Sequence, residues 1–373
     1  MTAPRVDINL GKITQNARSL VRRLGRHGIT VTGVTKAVCG HPDIARAMLD
    51  GGLAGLAESR VSNVVRMRAA GIACPISMIR APMVEEVHDV IKYCDASYNT
   101  ESATILHLGS SARDSGTVHN VIPTVELGDL RDGVMPEDLN DLAAMVVATP
   151  GVALKGIAAN FACMGSVAPT ADDMALLSRL ADQLEGACGP YVTLVSAGGS
   201  ASLDWALGTA TTGRINNLRL GEAILLGIDP VSGHPINGLH TDAFALFAEV
   251  KETKRKPSAM PTRPSPLEYG TLQVVSNVSQ HNRAVLAIGQ QDTDARGLTF
   301  SSGISFIGAT SDHIVVDLGQ ANLSVGSEMK MRMNYSALMR AMSAPDIEKV
   351  ARHALLISEA IKGNRPRPLL KLV

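Results

Sequence analysis

The hydrophobic positions of roughly the first 240 residues alternate between two periods. Short runs rich in β-branched residues predict strands, and apolar residues at helical spacing predict amphipathic helices between them. Pro42, Pro136 and Thr170, the last followed by acidic residues, are typical helix-start signals in those segments. The eight predicted strands are 31–36, 54–57, 76–79, 94–98, 119–126, 154–160, 192–196 and 217–220.

Eight successive strand–helix units favour a closed parallel barrel over an open doubly wound sheet. After Gly238 the pattern changes, with strand-like runs at 243–251, 271–278, 283–289, 304–307, 313–317 and 328–333. We therefore predict an α/β protein in two domains. These are a (β/α)8 TIM-type barrel over 5–237 and a mostly β C-terminal domain over 238–373, with 1–4 left open as an addition to the latter. Within the second domain, the proline-rich segment 254–266 is predicted to be a loop and 345–362 a terminal helix.

Composition narrows the range of partners. Of the 373 residues, 45% are hydrophobic and 19% charged, and the formal net charge is zero. No basic run is interleaved with aromatic residues, so we expect neither nucleic acid nor an anionic membrane as a partner. The amino-terminal sequence lacks the layout of a signal peptide and no apolar stretch is long enough to cross a bilayer, so a cytoplasmic protein is expected. Neither the five cysteines nor the histidines have the spacing of a disulfide framework or a metal site.

Lys36 ends the first predicted strand. A lysine there either extends its ammonium to solvent or supplies an amine for covalent chemistry, and its own sequence context leaves both open. Active sites of such barrels lie at the carboxyl ends of the strands, often with phosphate held by the loops after strands seven and eight. Here those loops are 197–202 and 219–222, with glycines that let the backbone approach an anion. A lysine facing such loops is the geometry that a Schiff base with pyridoxal 5′-phosphate requires.

The chain resembles the alanine-racemase-like, barrel-type pyridoxal phosphate enzymes along nearly all its length, and looks closest to the ornithine/lysine racemase branch. The motifs that carry the resemblance are GVTKAVCGHPDIARAMLDGG with LAESR at 33–60, VELGDLRDG at 125–133, GIAANFACMG at 156–165, the SAGGSASL and INNLRLGEAILLG loops, AIGQQD at 287–292 and SDHIVVDLG at 311–319.

The resemblance implies roles for the cofactor-binding residues. Lys36 would form the Schiff base and act as one of two α-proton bases, with Arg131 near the cofactor phenolate and Arg219 at the pyridine nitrogen. An alternative for Arg131 is a surface salt bridge with Asp129 or Asp132. Because an arginine keeps its proton, Arg219 favours racemisation over decarboxylation. The remaining cofactor contacts are expected from Asn160, which replaces a family histidine, and from Ser196, Gly199, Ser200, Gly221 and Glu222.

Racemisation needs an acid and a base on opposite faces of the substrate. The resemblance implies that Tyr269 of a partner subunit serves the second face, which would require a head-to-tail homodimer with a shared active site. The alternative is that Tyr269 only ends the proline-rich loop. Asp312 matches an aspartate on the substrate side of the pocket, and the neighbouring His313 either assists proton transfer, contacts the substrate or is packed structurally.

Two departures from the family pattern concern the phosphate and the substrate. Gly40 stands where a phosphate-binding tyrosine is expected, and Asp346 stands where the ornithine-type branch has tyrosine. The predicted function is a racemase of L- and D-amino acids, of ornithine/lysine type or broad specificity. The alternatives are another barrel-type pyridoxal phosphate enzyme, such as a decarboxylase or an aldolase, and a non-catalytic pyridoxal phosphate homeostasis protein.

Overall fold

Strands and helices alternate through the first part of the chain and strands dominate the remainder, in a computed structural model that describes residues 3–164, 167–257 and 280–352. The strands are β1 (Arg5–Asn9), β2 (Thr30–Val34), β3 (Gly55–Glu58), β4 (Ile76–Met78), β5 (Ala96–Asn99), β6 (His119–Val125), β7 (Val152–Leu154), β8 (Gly156–Ala159), β9 (Leu194–Ala197), β10 (Asn217–Leu220), β11 (Phe244–Pro257), β12 (Gln280–Leu286), β13 (Leu298–Thr299), β14 (Ser305–Ala309), β15 (Ile314–Asp317), β16 (Glu328–Met333) and β17 (Glu348–Arg352). The helices are α1 (Leu10–Gly25), α2 (Pro42–Leu49), α3 (Val61–Ala69), α4 (Val87–Tyr93), α5 (Ser102–Asp114), α6 (Leu139–Ala148), α7 (Ala171–Cys188), α8 (Leu203–Ala206), α9 (Glu222–Leu226) and α10 (Tyr335–Ser343).

The parallel strands from β2 to β10 close into a barrel, which confirms the predicted fold class. Around the barrel the order is β2, β3, β4, β5, β6, β8, β9 and β10, and β10 pairs with β2 to complete the ring. The short β7 precedes β8 and extends the pairing of β6. Each of the eight predicted strands overlaps one strand of this ring. The closed ring places every loop that follows a strand at one end, where the active sites of such barrels lie.

The second sheet is mostly antiparallel and is built around the long strand β11. Strands β1, β12 and β16 each pair with β11. Strand β15 pairs with β12 and β14 pairs with β15, while β13 pairs with β16. The predicted loop 254–266 is wrong at its start, because 254–257 continue β11. The rest of that loop and the predicted strand 271–278 lie outside the described residues.

The amino-terminal strand corrects the predicted domain division. Residues 5–9 were assigned to the barrel, but β1 pairs antiparallel with β11, Val6 opposite Leu246 and Ile8 opposite Phe244. Alternating burial along β1, with Val6 and Ile8 inside, suits a sheet rather than a barrel helix layer. The boundary near residue 237 stays a prediction.

The carboxyl-terminal part also differs from its prediction. Instead of a helix over 345–362, residues 348–352 form β17, which runs parallel to β1, and 353–373 lie outside the described residues. Pairing with β1 outweighs the weak helical spacing there. A helix occurs earlier, as α10, capped by the Asn334 side chain, which accepts the N–H of Ala337 at 2.9 Å. Helix α10 packs against the turn that follows β2, so the second domain reaches the strand ends of the barrel.

Asn16 ties the barrel's first helix to its last. It is fully buried on α1, and its side-chain amide donates to the carbonyls of Ile224 at 3.0 Å and His240 at 2.9 Å. Its carbonyl oxygen accepts the N–H of His240 at 2.7 Å. These bonds fix α9 and the segment that leads into the second domain. Within the described ranges, no helix has both the length and the apolar character needed to cross a membrane.

Candidate active site

A cavity of about 460 Å³ opens at the carboxyl ends of the barrel strands. Its walls come from the loops after β2, β3, β4, β6, β8, β9 and β10, and from the start of α10. A cavity of this size and position is the default ligand site of such a barrel. The predicted site residues that line it are Lys36, Arg131, Asn160, Gly199, Ser200, Arg219, Gly221 and Glu222.

Lys36 begins a 3-10 turn immediately after β2 and is half-buried at the cavity wall. Its ammonium forms neither a hydrogen bond nor an ion pair with any residue in the described part of the chain. The preceding residue is held firmly, since the N–H of Thr35 donates to the carbonyl of Ala57 at 3.0 Å. The hydroxyl of Thr35 also donates to the Glu58 carboxylate at 2.8 Å. The backbone under Lys36 is therefore fixed while its amine is available to a ligand.

Glu58 is a fully buried carboxylate whose charge is satisfied locally. Besides the Thr35 hydroxyl, it accepts the N–H groups of Ser59 at 2.7 Å and Arg60 at 3.3 Å. A buried carboxylate with several donors stabilises the loops around it. Sequence reasoning included Glu58 only as part of the LAESR motif. Its structural role depends on β2 and β3 being neighbours.

The loops after β9 and β10 are joined to each other. Gly198 has a φ of 70°, and a Cβ there would lie 2.9 Å from the Ser202 hydroxyl and 3.0 Å from the Phe161 ring, so this turn requires glycine. The hydroxyl of Ser200 accepts the N–H of Ala223 at 3.1 Å, which ties the turn to α9. Gly199, Ser200 and Gly221 all line the cavity, and the two glycines add no side chain to it.

Arg219 is buried in β10, with 6% of its surface exposed. One guanidinium nitrogen, Nη2, donates to the carbonyl of Ala159 at 2.7 Å and to Asn160 Oδ1 at 2.9 Å. The guanidinium also lies over the Tyr98 ring, 4.7 Å from its centroid. Two hydrogen bonds and a cation–π contact immobilise this charge at the cavity floor.

For Arg131 the sequence left open a position at the cofactor site and a salt bridge with Asp129 or Asp132, and the structure shows features of both. Arg131 lines the cavity, and its Nε forms ion pairs with Asp132 at 2.9 Å and Asp129 at 3.4 Å. Asp129 in turn accepts the N–H groups of Cys163 at 2.7 Å and Met164 at 3.2 Å. Asp129 therefore links the loops after β6 and β8.

The structure corrects the prediction that Ser196 contacts the cofactor. Ser196 does not line the cavity, because its fully buried side chain donates a hydrogen bond to Asn217 Oδ1 at 2.7 Å between β9 and β10. The prediction took the end of strand seven as part of the phosphate loop. The Ser196 hydroxyl instead bonds one barrel strand to the next.

Two of the three predicted residues of the second domain, Asp312 and His313, do not line this chain's cavity. Asp312 is exposed in the turn between β14 and β15, where it accepts hydrogen bonds from the hydroxyls of Thr310 at 3.1 Å and Ser311 at 3.3 Å. The Thr310 bond is the main cause that lowers the pKa of Asp312. His313 is partly exposed, and its Nδ1 lies 3.1 Å from Asp312. Tyr269 lies outside the described residues, so its position stays a prediction.

Sequence reasoning missed Tyr335, which opens α10 and reaches the cavity. Burial raises the pKa of its hydroxyl, and Glu222 and Glu58 add to the effect. Asn334 followed by apolar residues at helical spacing was a signal that could have found the helix, though not its contact with the cavity. In the described ranges, no group of three or more histidine, cysteine, aspartate or glutamate side chains could hold a metal ion.

Comparison with known proteins decides the family. Residues 8–229, more than half of the chain, match the family model described as alanine racemase, N-terminal domain. The chain belongs to the alanine racemase family. The resemblance drawn from the sequence motifs is thereby confirmed.

Two curated members of the family are similar over almost their full length. The chain is 35% identical to lysine racemase of Thermotoga maritima, across 94% of this chain and 99% of that protein. It is 33% identical to ornithine racemase of Acetoanaerobium sticklandii, across 93% and 99%. Alanine racemases are matched with lower identity or coverage, one being 27% identical over 86% of this chain. The predicted class, an amino acid racemase of this family, is confirmed by these relatives.

Solved structures confirm the fold of the alanine racemase family. Alanine racemase from Streptomyces lavendulae superposes with a TM-score of 0.73 at 20% identity, covering 95% of this chain and 99% of that one. D-threonine aldolase from Filomicrobium marinum gives 0.72 at 16% identity, covering 94% and 91%. At such low sequence identities, the similarity shows a shared fold of barrel and second sheet and does not show a shared reaction.

The bond between Thr35 and Glu58 can be tested by a shape-conserving change. Thr35→Val removes the hydroxyl and leaves a buried carboxylate oxygen without its donor, so we expect the free energy of unfolding to fall by about 1–3 kcal/mol. Urea unfolding measures the change. Thr117→Val, at an exposed position, is the control and should alter stability by less than about 0.5 kcal/mol. Equal stability of the two variants would show that this bond does not hold the Lys36 turn.

Proposed function

We propose that this protein is a pyridoxal 5′-phosphate-dependent racemase that interconverts the L- and D-forms of a basic amino acid of the ornithine or lysine type. The observation that carries the proposal is one cavity that holds a glycine-serine turn, an immobilised Arg219 and the Lys36 amine, which has no partner among the described residues. The substrate class is supported by the lysine and ornithine racemases, which are similar over nearly the whole chain.

The cavity has a suitable group for each functional part of the cofactor. Lys36 offers an amine for the aldehyde, the turn at Gly199 and Ser200 with Gly221 offers backbone for the phosphate, and Arg219 offers a donor for the ring nitrogen. No side chain stands at Gly40, whose φ is 61° and whose Cβ would lie 2.9 Å from the Asn63 carbonyl oxygen, so tyrosine is excluded there. When bound, the cofactor would withdraw electrons from Cα of the substrate and make its proton acidic.

The residues of the chain determine what happens to that proton. Lys36 lies at the cavity wall on a fixed turn, so its amine can remove or return a proton on one face of Cα. Because an arginine side chain does not release its proton in proteins, Arg219 would donate a hydrogen bond to the ring nitrogen of a bound cofactor without protonating it. Electron withdrawal is then limited, which favours return of the proton to Cα over loss of the carboxylate. This distinguishes the proposed racemase from a decarboxylase.

The opposite face of Cα requires a second proton carrier, and we assign it to Tyr269 of a partner subunit. Asp312 is exposed and His313 partly exposed, and neither lines this chain's own cavity, as expected of residues that complete a neighbour's site. A head-to-tail homodimer would bring the second domain of each chain to the barrel of the other. A cytoplasmic location, expected from the sequence, stays a prediction.

Large apolar side chains surround the end of the barrel where the cavity opens. The loops after β4, β6 and β8 expose Met83, Leu130, Met164 and Val167, with Leu130 81% exposed. Apolar side chains grouped at one end of a barrel are typical of a protein interface. They support the proposed contact between each cavity mouth and a partner subunit.

The structure of D-threonine aldolase shares the fold but gives no support for an aldolase reaction at 16% identity. A homeostasis protein that ends with the barrel is disfavoured because both racemases at 33–35% identity align through the second domain as well. The racemase is therefore the function that the cavity and the relatives support best.

Lys36→Ala tests the first base and the cofactor attachment. The variant should lose the yellow colour that borohydride fixes to the protein, and racemisation measured by chiral chromatography should fall by at least about 10³-fold, since both amine functions disappear together. Lys155→Ala, at an exposed lysine just before β8, should behave as wild type. Retention of a borohydride-fixed cofactor in Lys36→Ala would end this assignment.

Tyr269→Phe tests the second base. Turnover should fall in at least one direction by about 10²-fold or more, the typical contribution of a general acid or base, while the cofactor absorbance is retained. Initial rates are measured separately from the L- and the D-substrate. Wild-type rates in both directions would transfer the role to another residue, with His313 the next candidate.

Leu130→Asp tests the dimer. A charge at an apolar contact should weaken association by about 10-fold or more, and sedimentation velocity should show a concentration-dependent shift toward monomer with a matching loss of activity. Leu106→Asp, at a 54% exposed position on α5, is the matched control and should remain a dimer. A fully active wild-type monomer would contradict the shared active site.

A further inference from the structure

Among the described residues, two carboxyl side chains line the cavity, and they differ in their partners. Asp132 is engaged by Arg131, whose Nε lies 2.9 Å from its Oδ1. Glu222 is half-buried at the start of α9, and its carboxyl forms no hydrogen bond or ion pair with any residue in the described part of the chain. Burying a carboxyl without a partner is costly, so such a group is expected to have a ligand as its partner.

The charges around Glu222 leave a place for an added cation. Facing it are Lys36 from the turn after β2, Tyr335 from α10 and Asp229 from the segment after α9. Burial, followed by the charge of Asp229, raises the pKa of Glu222 to about 7, and Lys36 opposes that rise. If the Lys36 amine were joined to the cofactor's aldehyde, its charge would no longer balance that of Glu222 in the same way.

The three arginines of the described cavity lining already have hydrogen-bond or ion-pair partners. Arg80 donates to Glu86 at 3.1 Å, Arg131 pairs with Asp129 and Asp132, and Arg219 is held by backbone and Asn160. None of these arginines pairs with Glu222 in the described structure. Apart from Lys36, no cation of the described cavity lining is available to pair with Glu222, and a bound ligand can supply one.

We propose that Glu222 is the specificity-determining residue, which binds the side-chain ammonium of a basic amino-acid substrate. This inference rests on the proposed racemase function. The substrate would react beside Lys36, and Glu222 lines the same cavity, so the α-carbon and the side-chain ammonium of ornithine or lysine would both be bound within one cavity. A neutral amino acid of the same length leaves the carboxyl without its partner.

The test compares holoenzyme variants on two substrates with the same carbon chain, L-lysine and L-norleucine, of which norleucine lacks the terminal ammonium. The measured quantity is the ratio of kcat/KM for lysine to that for norleucine, which cancels any effect on the cofactor. Glu222→Gln should lower this ratio by about 10- to 100-fold, mainly through the KM for lysine, because a hydrogen bond between charged groups is lost. Asp132→Asn, the cavity's other carboxyl, should leave the ratio unchanged, and Glu222→Asp should largely restore it.

The pH dependence gives an independent readout. Only the ionised carboxylate attracts an ammonium, so the wild-type ratio should be highest above pH 7 and fall as the pH drops through about 7. An effect of pH on any step that both substrates share cancels in the ratio. Glu222→Gln should give a ratio that does not change over this range.

Several results would overturn the inference. An equal loss of kcat/KM for both substrates in Glu222→Gln would show that Glu222 acts on Lys36 instead, and a loss of lysine preference in Asp132→Asn alone would assign the recognition to Asp132. If Glu222→Gln does not fold, Glu222→Asp with no lysine preference left, or a wild-type ratio that is flat with pH, also overturns it. A wild type that racemises both substrates equally refutes this inference alone, whereas one that binds no cofactor and racemises neither refutes the proposed function.

Discussion

Pairing between β10 and β2 is the constraint on which the site depends. The two strands are parallel neighbours in register, with Asn217 opposite Thr30 and Leu220 opposite Gly33, although nearly the whole barrel separates them in sequence. This pairing closes the ring and sets the loop that contains Gly221 and Glu222 beside the turn that starts at Lys36. Without closure the lysine would be an isolated amine at a strand end, and the glycine loops would have no reactive group to face.

The cavity that results places opposing charges at separate, fixed positions. Arg219 is buried and held by two hydrogen bonds and the Tyr98 ring, while Lys36 has no partner among the described residues. Glu222 has a pKa raised to about 7, so its charge is responsive to what binds nearby. Rigid groups are suited to hold a cofactor, and unpaired groups are suited to react with a substrate or to recognise it. The proposed division of roles follows this physical difference.

Local signals in the sequence were sufficient to predict the barrel strands and several residues that line the cavity. Strand positions followed from β-branched runs, and the rule that barrel sites lie at strand ends located Lys36, Gly199 and Arg219. The error at Ser196 arose because a residue at the end of a strand can point either to the cavity or to the next strand, and only the Asn217 contact decides this. Tyr335 could not be placed, because its approach to the cavity depends on how the second domain packs on the barrel.

The terminal segments were mispredicted for a related reason. Strands β1 and β17 pair with each other although they lie at opposite ends of the described chain, and such long-range pairing has no local signature. The apolar residues of 345–362 do have helical spacing, but residues 348–352 form a strand because pairing with β1 outweighs the helical preference. Only the tertiary structure shows that the amino terminus belongs to the second sheet.

The central claim is that this cavity removes and returns the α-proton of a basic amino acid. Incubating the wild-type holoenzyme with L-lysine in D₂O, and analysing the products by chiral chromatography with mass spectrometry, tests it most directly. The account predicts D-lysine that carries one deuterium at Cα, because the returned proton comes from a group that exchanges with solvent. L-lysine recovered unchanged and without deuterium at Cα, from protein that contains bound cofactor, would contradict it.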